Sequence, residues 1–120
     1  MKKILIIEDE KVIRDELRTY LKNAGYNALV LEDFSAITKD AINIKPDLIL
    51  LDINLPTING EVCLKELRKH SDIPIIMVTS RTNEIDELLS MSYGADDYIT
   101  KPYNFAILLF RIQNIIKRME

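Results

Sequence analysis

Short runs of four apolar residues alternate along the chain with longer stretches in which apolar positions recur every three or four residues. Ile4–Ile7, Leu48–Leu51 and Ile75–Val78 are the clearest runs, each flanked by polar residues. An unbroken apolar run of that length suits a strand buried on both faces of a parallel sheet. Ala28–Leu31 and Tyr98–Ile99 are weaker strand candidates. Between the runs the period turns helical. Ile13, Leu17, Leu21 and Ala24 form a stripe at i, i+4, i+8 and i+11, and Gly25 follows where a C′ residue would end the helix. Phe34 to about Ile44, Gly60–His70, Asn83–Ser92 and Phe105–Met119 read as further helices, and Pro46, Pro56, Pro74 and Pro102 all lie outside them. Strand–helix repeated five times predicts a single α/β domain over residues 1–120. Its sheet is parallel, with helices on both faces and right-handed crossovers.

In such a sheet, ligands bind at the carboxyl ends of the strands. Glu8 and Asp9 follow the first run, Asp52 the third, Thr79 the fourth and Lys101 the fifth. One polar residue after a strand is ordinary. Three carboxylates converging on one edge repel one another, and Lys101 leaves their sum at −3 + 1 = −2. A divalent cation would neutralise the cluster, and hard oxygen ligands without His or Cys select Mg²⁺ over Zn²⁺.

Composition narrows the classes. Sixteen Lys and Arg against nineteen Asp and Glu give a net charge of −3, which argues against holding nucleic acid by bulk charge. The lone Cys63 excludes an intramolecular disulfide and a multi-cysteine zinc site. Cys63, with Leu67 at i+4, reads as core, and His70, the only histidine, as a solvated residue near its helix end. The longest apolar run, Phe105–Phe110, is far short of a membrane span, and Ile4–Ile7 is too short for a signal peptide, so a cytoplasmic domain is expected. Only three glycines, Gly25, Gly60 and Gly94, exclude both common Gly-rich phosphate loops.

Glu8-Asp9, Asp52, Thr79-Ser80 and Lys101-Pro102, in this order and spacing, resemble the receiver domain of bacterial two-component response regulators. The segments 4–10, 50–56 with Gly60, and 94–102 are similar to those of the OmpR/PhoB subgroup. The resemblance implies a CheY-like, flavodoxin-like sheet in the order 2-1-3-4-5. It implies that Asp52 accepts a phosphoryl group from a sensor histidine kinase, a regulatory role and not that of an enzyme. Mg²⁺ would be held by Asp9, Asp52, the Asn54 backbone carbonyl and Glu8, directly or through water. Lys101 and Thr79 would pair with phosphoryl oxygens, Tyr98 would turn inward as Thr79 moves, and the Lys101–Pro102 bond would be cis. Asn54 and Arg81, flanking the path of an attacking water, would leave hydrolysis slow. Lys117-Arg118 resembles the start of a linker to a winged-helix DNA-binding domain outside these residues; the alternative is a stand-alone receiver that signals by binding a partner protein.

Two other classes are disfavoured by particular residues. A haloacid-dehalogenase-type phosphatase needs a second Asp two positions after its nucleophile, where this chain has Asn54. A flavodoxin-like electron carrier needs a phosphate-cradling loop where Glu8-Asp9-Glu10 would repel an anion.

The last helix suggests a partner surface. Phe105, Leu108, Leu109, Ile112, Ile115, Ile116 and Met119 share one face and read as its core stripe, while Ile107, Arg111 and Arg118 cluster on another flank. The resemblance implies a two-fold dimer of the phosphorylated protein through helix 4, strand 5 and helix 5, with pairs from Asp97 to Arg111 and from Asp96 to Arg118 of the second copy. A third pair common in the family is absent, because Glu87 and Ile107 stand at its positions.

Overall fold

The computed structural model describes residues 1–56, 58–80 and 84–119. Strands and helices alternate throughout: β1 (Lys3–Ile7), α1 (Lys11–Asn23), β2 (Asn27–Val30), α2 (Ile37–Ile44), β3 (Leu48–Leu51), α3 (Gly60–His70), β4 (Ile75–Thr79), α4 (Glu84–Ser92), β5 (Asp97–Thr100) and α5 (Phe105–Met119). The strands form one parallel sheet in the order β2-β1-β3-β4-β5, as expected. Arg81 and Asn83, to which a hydrolysis-tuning role and the start of the fourth helix were assigned, lie outside the described residues.

Pleating sends successive side chains of each apolar run to opposite faces. Leu5, Ile7, Ile49, Leu51, Ile75 and Met77 meet α2 and α3 in one cluster. Ile4, Ile6, Leu48, Leu50, Ile76 and Val78 meet α1 and α5 in the other. The three central strands therefore need apolar residues at every position, which is why they read as unbroken runs. Cys63 is fully buried in the first cluster, and burial, helped by Glu66, pushes its thiol up to about 12. It is an inert core residue, as expected.

Three local expectations need correction. Ala24 is exposed at the C-cap of α1, one residue past the helix. The second helix begins at Ile37, not Phe34. Asp33 Oδ1 accepts from the Ser35 backbone N–H at 2.9 Å, a local turn that competes with helix at its N-terminal side. Met119, the last residue of α5, is 49% exposed and lies outside the buried stripe, which ends at Ile116. Leu108, Ile112, Ile115 and Ile116 are the buried members of that stripe.

The amino-terminal edge of β4 and β5 is tied by one arginine. Arg68, in the last turn of α3, donates through Nε to the Gly94 carbonyl at 2.8 Å and through Nη1 to the Ile73 carbonyl at 2.6 Å. Its Nη2 meets Asp96 Oδ2 at 2.9 Å, and the same oxygen accepts from the Ile75 backbone N–H at 2.9 Å. The planar fork, with Asp96, thus joins α3, the loops before β4 and β5, and the first residue of β4.

Candidate functional site

Parallel strands end on the same edge, and the register decides which residues meet there. Ile7 pairs with Leu51, so Glu8 and Asp52 leave neighbouring strands at the same level. The Asp52 backbone N–H extends the ladder to the Ile7 carbonyl at 3.0 Å. Thr79 pairs with Thr100, and the Lys101 backbone N–H reaches the Thr79 carbonyl at 2.7 Å. One carboxylate oxygen each from Glu8, Asp9 and Asp52 lies within 4.8 Å of the other two. The three expected carboxylates do converge, with Glu8 and Asp52 buried and Asp9 exposed.

Lys101 crosses this cluster. Its ammonium donates to Glu8 in a short hydrogen bond and lies 3.3 Å from Asp52 Oδ2. The second oxygen of Asp52 accepts from the Asn54 backbone N–H at 3.0 Å, which fixes the plane of the carboxylate. The Asn54 side chain approaches Ser80 Oγ at 3.5 Å and links the loops after β3 and β4. Thr79 is fully buried, and Tyr98 is 6% exposed in the cluster that holds Met77 and Ala95. Tyr98 also lines a cavity with Glu87, Ile107 and Arg111 on the side of α4 and α5. The Lys101–Pro102 bond is cis, as the resemblance implied.

Gly60 explains how Asp52 is presented. Its backbone N–H donates to the Ile53 carbonyl at 2.7 Å, and a Cβ at Gly60 would fall on the Asp52 carbonyl oxygen and the Ile53 Cα. Only a residue without a side chain lets α3 start this close to the end of β3. The Asn59 side chain caps that helix by accepting from the Glu61 N–H at 2.7 Å.

The electrostatics follow from crowding. Burial pushes the Glu8 carboxyl up to about 7, with the hydrogen bond and charge of Asp52 adding to the rise and Lys101 opposing it. Burial works to lower Lys101, but its hydrogen bond to Glu8 and the charges of Asp52 and Glu8 hold it above its ordinary value. One cation does not balance three acids. The oxygen-only donor set fits a hard divalent cation, and Glu8, Asp9 and Asp52 are the residues to hold one.

This arrangement predicts a pH dependence. The ordinary value for a Glu carboxyl is 4.5, whereas burial in the folded chain pushes Glu8 up to about 7. Between those values the folded state holds the extra proton. The contribution of Glu8 to stability is thus fully present below the unfolded pKa and is lost as pH rises through the folded one. The urea-unfolding free energy of the metal-free chain is expected to fall between pH 5 and 8, with at most about 3 kcal/mol from this group. Mg²⁺ should reduce the fall, and Glu8→Gln should remove Glu8's share. A metal-free slope unchanged in Glu8→Gln would show that Glu8 does not carry the proton.

The expected partner face is laid out differently from its sequence reading. Arg111 Nη1 pairs with Asp97 Oδ1 of the same chain at 2.8 Å, and Asp96 is held by Arg68. Both acids assigned to a second copy's arginines are already engaged within one chain. Arg118 is exposed, with Nε 3.4 Å from the Asn114 carbonyl. Ile107 is 54% exposed, as expected, and Phe110, which the sequence reading passed over, is 62% exposed beside it. Its position outside the core stripe was the signal available. A cavity of about 310 Å³ on this face is lined by Glu87, Tyr98, Ile107 and Arg111 among others.

Residues 4–113 match the response regulator receiver domain family. The chain is 42% identical over 118 residues to the transcriptional regulatory protein YxdJ of Bacillus subtilis, covering 98% of this chain and 52% of that protein. It is 41% identical over 118 residues to the transcriptional regulatory protein BaeR of Escherichia coli O6:H1, covering 98% of this chain and 49% of that one. The chain thus spans about half the length of these curated relatives. Among solved structures, the BeF3-activated N-terminal receiver domain of RstA from Klebsiella pneumoniae superposes with a TM-score of 0.91 at 31% identity, over 96% of this chain and 98% of that one. The chain belongs to the receiver-domain family of response regulators, of the OmpR/PhoB kind. The family is one of signalling domains. Among the described residues, no helix is long and apolar enough to cross a membrane.

Proposed function

We propose that Asp52 is the phosphoacceptor, taking its phosphoryl group in the cytoplasm from a phosphohistidine of a sensor kinase. The observation that carries this reading is the Asp52 carboxylate itself, buried at a strand end, 3.3 Å from the Lys101 ammonium and crowded by two further carboxylates. A carboxylate is already ionised and needs no base; what the transfer needs is neutralisation of charge. An Asp52 oxygen forms the new bond to phosphorus, and the donor nitrogen leaves with the electrons of the broken N–P bond. The Lys101 ammonium pairs with one phosphoryl oxygen and the buried Thr79 hydroxyl with another. Glu8, Asp9, Asp52 and the Asn54 carbonyl would hold Mg²⁺, which would supply the remaining positive charge that the transfer needs.

Incubation with acetyl phosphate and Mg²⁺ tests the reading. Intact-mass measurement should find one phosphoryl group per chain, mapped to Asp52 in peptides, and none when the metal is chelated. A label on any other residue would overturn the assignment. Asn54, two positions after Asp52, is no general base, so the phosphoryl group should outlast enzyme turnover by orders of magnitude once the donor is removed.

The output in this reading is dimerisation through α4, β5 and α5, coupled to a DNA-binding domain outside this chain, with Thr79 and Tyr98 relaying the modification. A stand-alone receiver would be the second reading, but the transcriptional relatives are about twice this length. Asp96, Asp97, Ile107, Arg111 and Arg118 would line the dimer. The interface is isologous, so the Asp97–Arg111 pair inside each chain must open or be shared across the two-fold axis. The pair is partly exposed and worth only about 0–1 kcal/mol, so exchanging it is cheap. Arg111→Glu should keep Asp52 labelling yet sediment as a monomer when phosphorylated, where wild type sediments as a dimer. A phosphorylated Arg111→Glu dimer would place the contact elsewhere.

A further inference from the structure

A cavity of about 380 Å³ opens between α1 and the turn that leads from β5 into α5, with Ile13, Pro102, Tyr103 and Phe105 as its apolar walls. Ile13, Glu16 and Tyr20 are three and four residues apart and so share one flank of α1. Tyr20 stacks on Phe105 with ring centroids 4.8 Å apart, and Phe105 meets Tyr103 edge-on at 5.5 Å and 88°. This aromatic row spans from α1 to the turn and sets the spacing of the walls. Lys101 also lines the cavity, and its ammonium lies 3.3 Å from Asp52 Oδ2, so the apolar slot adjoins the acid site.

Glu16 is the other charged residue among the described ones that line the slot. It is exposed, stands outside the carboxylate cluster of Glu8, Asp9 and Asp52, and has no ion pair among the described residues. An acid beside a site that takes up an anion repels most donors. It attracts one kind: a molecule with an anionic end at Lys101, a flat apolar middle between the walls and a charged N–H group at the far side. A phosphorylated imidazole has this form. Its phosphoryl oxygens are anionic, its ring is planar, and its second nitrogen carries a proton and the positive charge.

We propose that this slot is the leaving-group pocket of the transfer: it receives the imidazole ring of the phosphodonor, and Glu16 accepts a hydrogen bond from the protonated ring nitrogen. This rests on the reading of Asp52 as phosphoacceptor. As an Asp52 oxygen bonds to phosphorus, the electrons of the N–P bond return to the ring nitrogen that carried it. The second nitrogen keeps its proton, so the imidazole leaves neutral. Glu16 therefore attracts the charged donor more strongly than the spent ring, which favours release. It selects among donors without touching phosphorus. Acetyl phosphate has no ring and no N–H group, so Glu16 only repels it.

Three small donors with Mg²⁺, compared by intact mass at low ionic strength, test the pocket: phosphoimidazole, phosphoramidate and acetyl phosphate. Glu16→Gln removes the charge from an exposed position on α1 and leaves the fold intact. Labelling by phosphoimidazole should slow about 2–5-fold, the worth of one exposed charged contact, while labelling by acetyl phosphate should rise. Glu16→Lys should widen the gap between these two donors. Phosphoramidate carries its positive nitrogen on phosphorus itself and has no ring to span the slot, so it should not slow. Equal slowing with all three donors, or no slowing with phosphoimidazole, would overturn the inference. Slowing of phosphoramidate to the same extent as phosphoimidazole would overturn the ring pocket. A wild-type chain that takes no label at Asp52 from any donor would overturn the phosphoacceptor reading and this inference with it, whereas labelling at Asp52 with a Glu16→Gln variant that treats the donors as wild type does would overturn this inference alone.

Discussion

Asp52→Asn should abolish labelling by acetyl phosphate and, at the same time, make the unmodified chain more stable. The first effect follows from chemistry, because an amide oxygen is a poor nucleophile toward phosphorus and the product would carry no stable acyl phosphate. The second follows from crowding. Asn keeps an oxygen for the Asn54 N–H, so the loop after β3 retains its 3.0 Å hydrogen bond. What disappears is a negative charge beside Glu8, whose carboxyl is held at about 7 by burial and, next, by Asp52. Lys101 is left with one principal partner in place of two competing ones. A gain of about 1–2 kcal/mol is expected, or about 3–10 °C in Tm for a domain of this size, measured without metal near pH 8. The gain should shrink toward pH 5, where protonation of Glu8 already relieves the repulsion. A variant less stable than wild type at pH 8 would mean that Asp52 is net attractive in its site, and the argument for a missing cation would fail.

Gly60→Ala is expected to be the most damaging single methyl in the chain. By helix propensity alone the change should help, since Ala is favoured over Gly in helices by about 1 kcal/mol. Here the new Cβ meets backbone, at the Asp52 carbonyl oxygen and the Ile53 Cα, and neither can swing aside like a side chain. α3 must retreat or the end of β3 must bend. Overpacking costs typically about 1–3 kcal/mol and occasionally more, and a backbone collision belongs at the upper end. The displaced loop carries both Asp52 and Asn54, so labelling by acetyl phosphate should slow as well. Gly25→Ala is the control. Nothing lies within 4 Å of its Cβ position, but φ is +96°, so the cost is local strain of about 1 kcal/mol with labelling unchanged. Equal stabilities for the two variants, measured by urea unfolding, would show that the α3 start can move freely.

The contrast between these glycines also marks what the sequence could convey. Buried central strands need apolar residues at every position, so β1, β3 and β4 were legible as unbroken runs, and with them the edge on which Glu8, Asp9, Asp52, Thr79 and Lys101 meet. Strand ends need no side-chain geometry to be located, only chain direction. Features set by distance across the fold were not legible in that way. Gly60 reads as a helix residue, and its proximity to Asp52 exists only after α3 packs. Arg111 and Asp97 were assigned to separate copies, because sequence does not show that β5 runs close enough to α5 for them to pair within one. Phe34–Ala36 carried helical periodicity, but the Asp33–Ser35 turn took the local hydrogen bonding. At Met119 the apolar stripe of the sequence runs past Ile116, the last buried residue of α5.

The Arg68 clamp gives the two ends of the sheet different dynamic characters. At the amino-terminal edge, one guanidinium and Asp96 fasten the Gly94 and Ile73 carbonyls and the Ile75 amide, so that α3, β4 and β5 cannot separate there without breaking several bonds together. The opposite edge is held instead by the Lys101 ammonium on Glu8 and Asp52 and by the 3.5 Å approach of Asn54 to Ser80, contacts that a change of charge at the site would disturb. In hydrogen exchange, the Ile75 amide is expected to open only with global unfolding, and the Asn54 amide, held by the Asp52 carboxylate, through smaller openings. The molecule would thus have a fastened base and a rim whose closure depends on charge. A charge placed on the rim can reorganise loops there while the ladder beneath them stays closed.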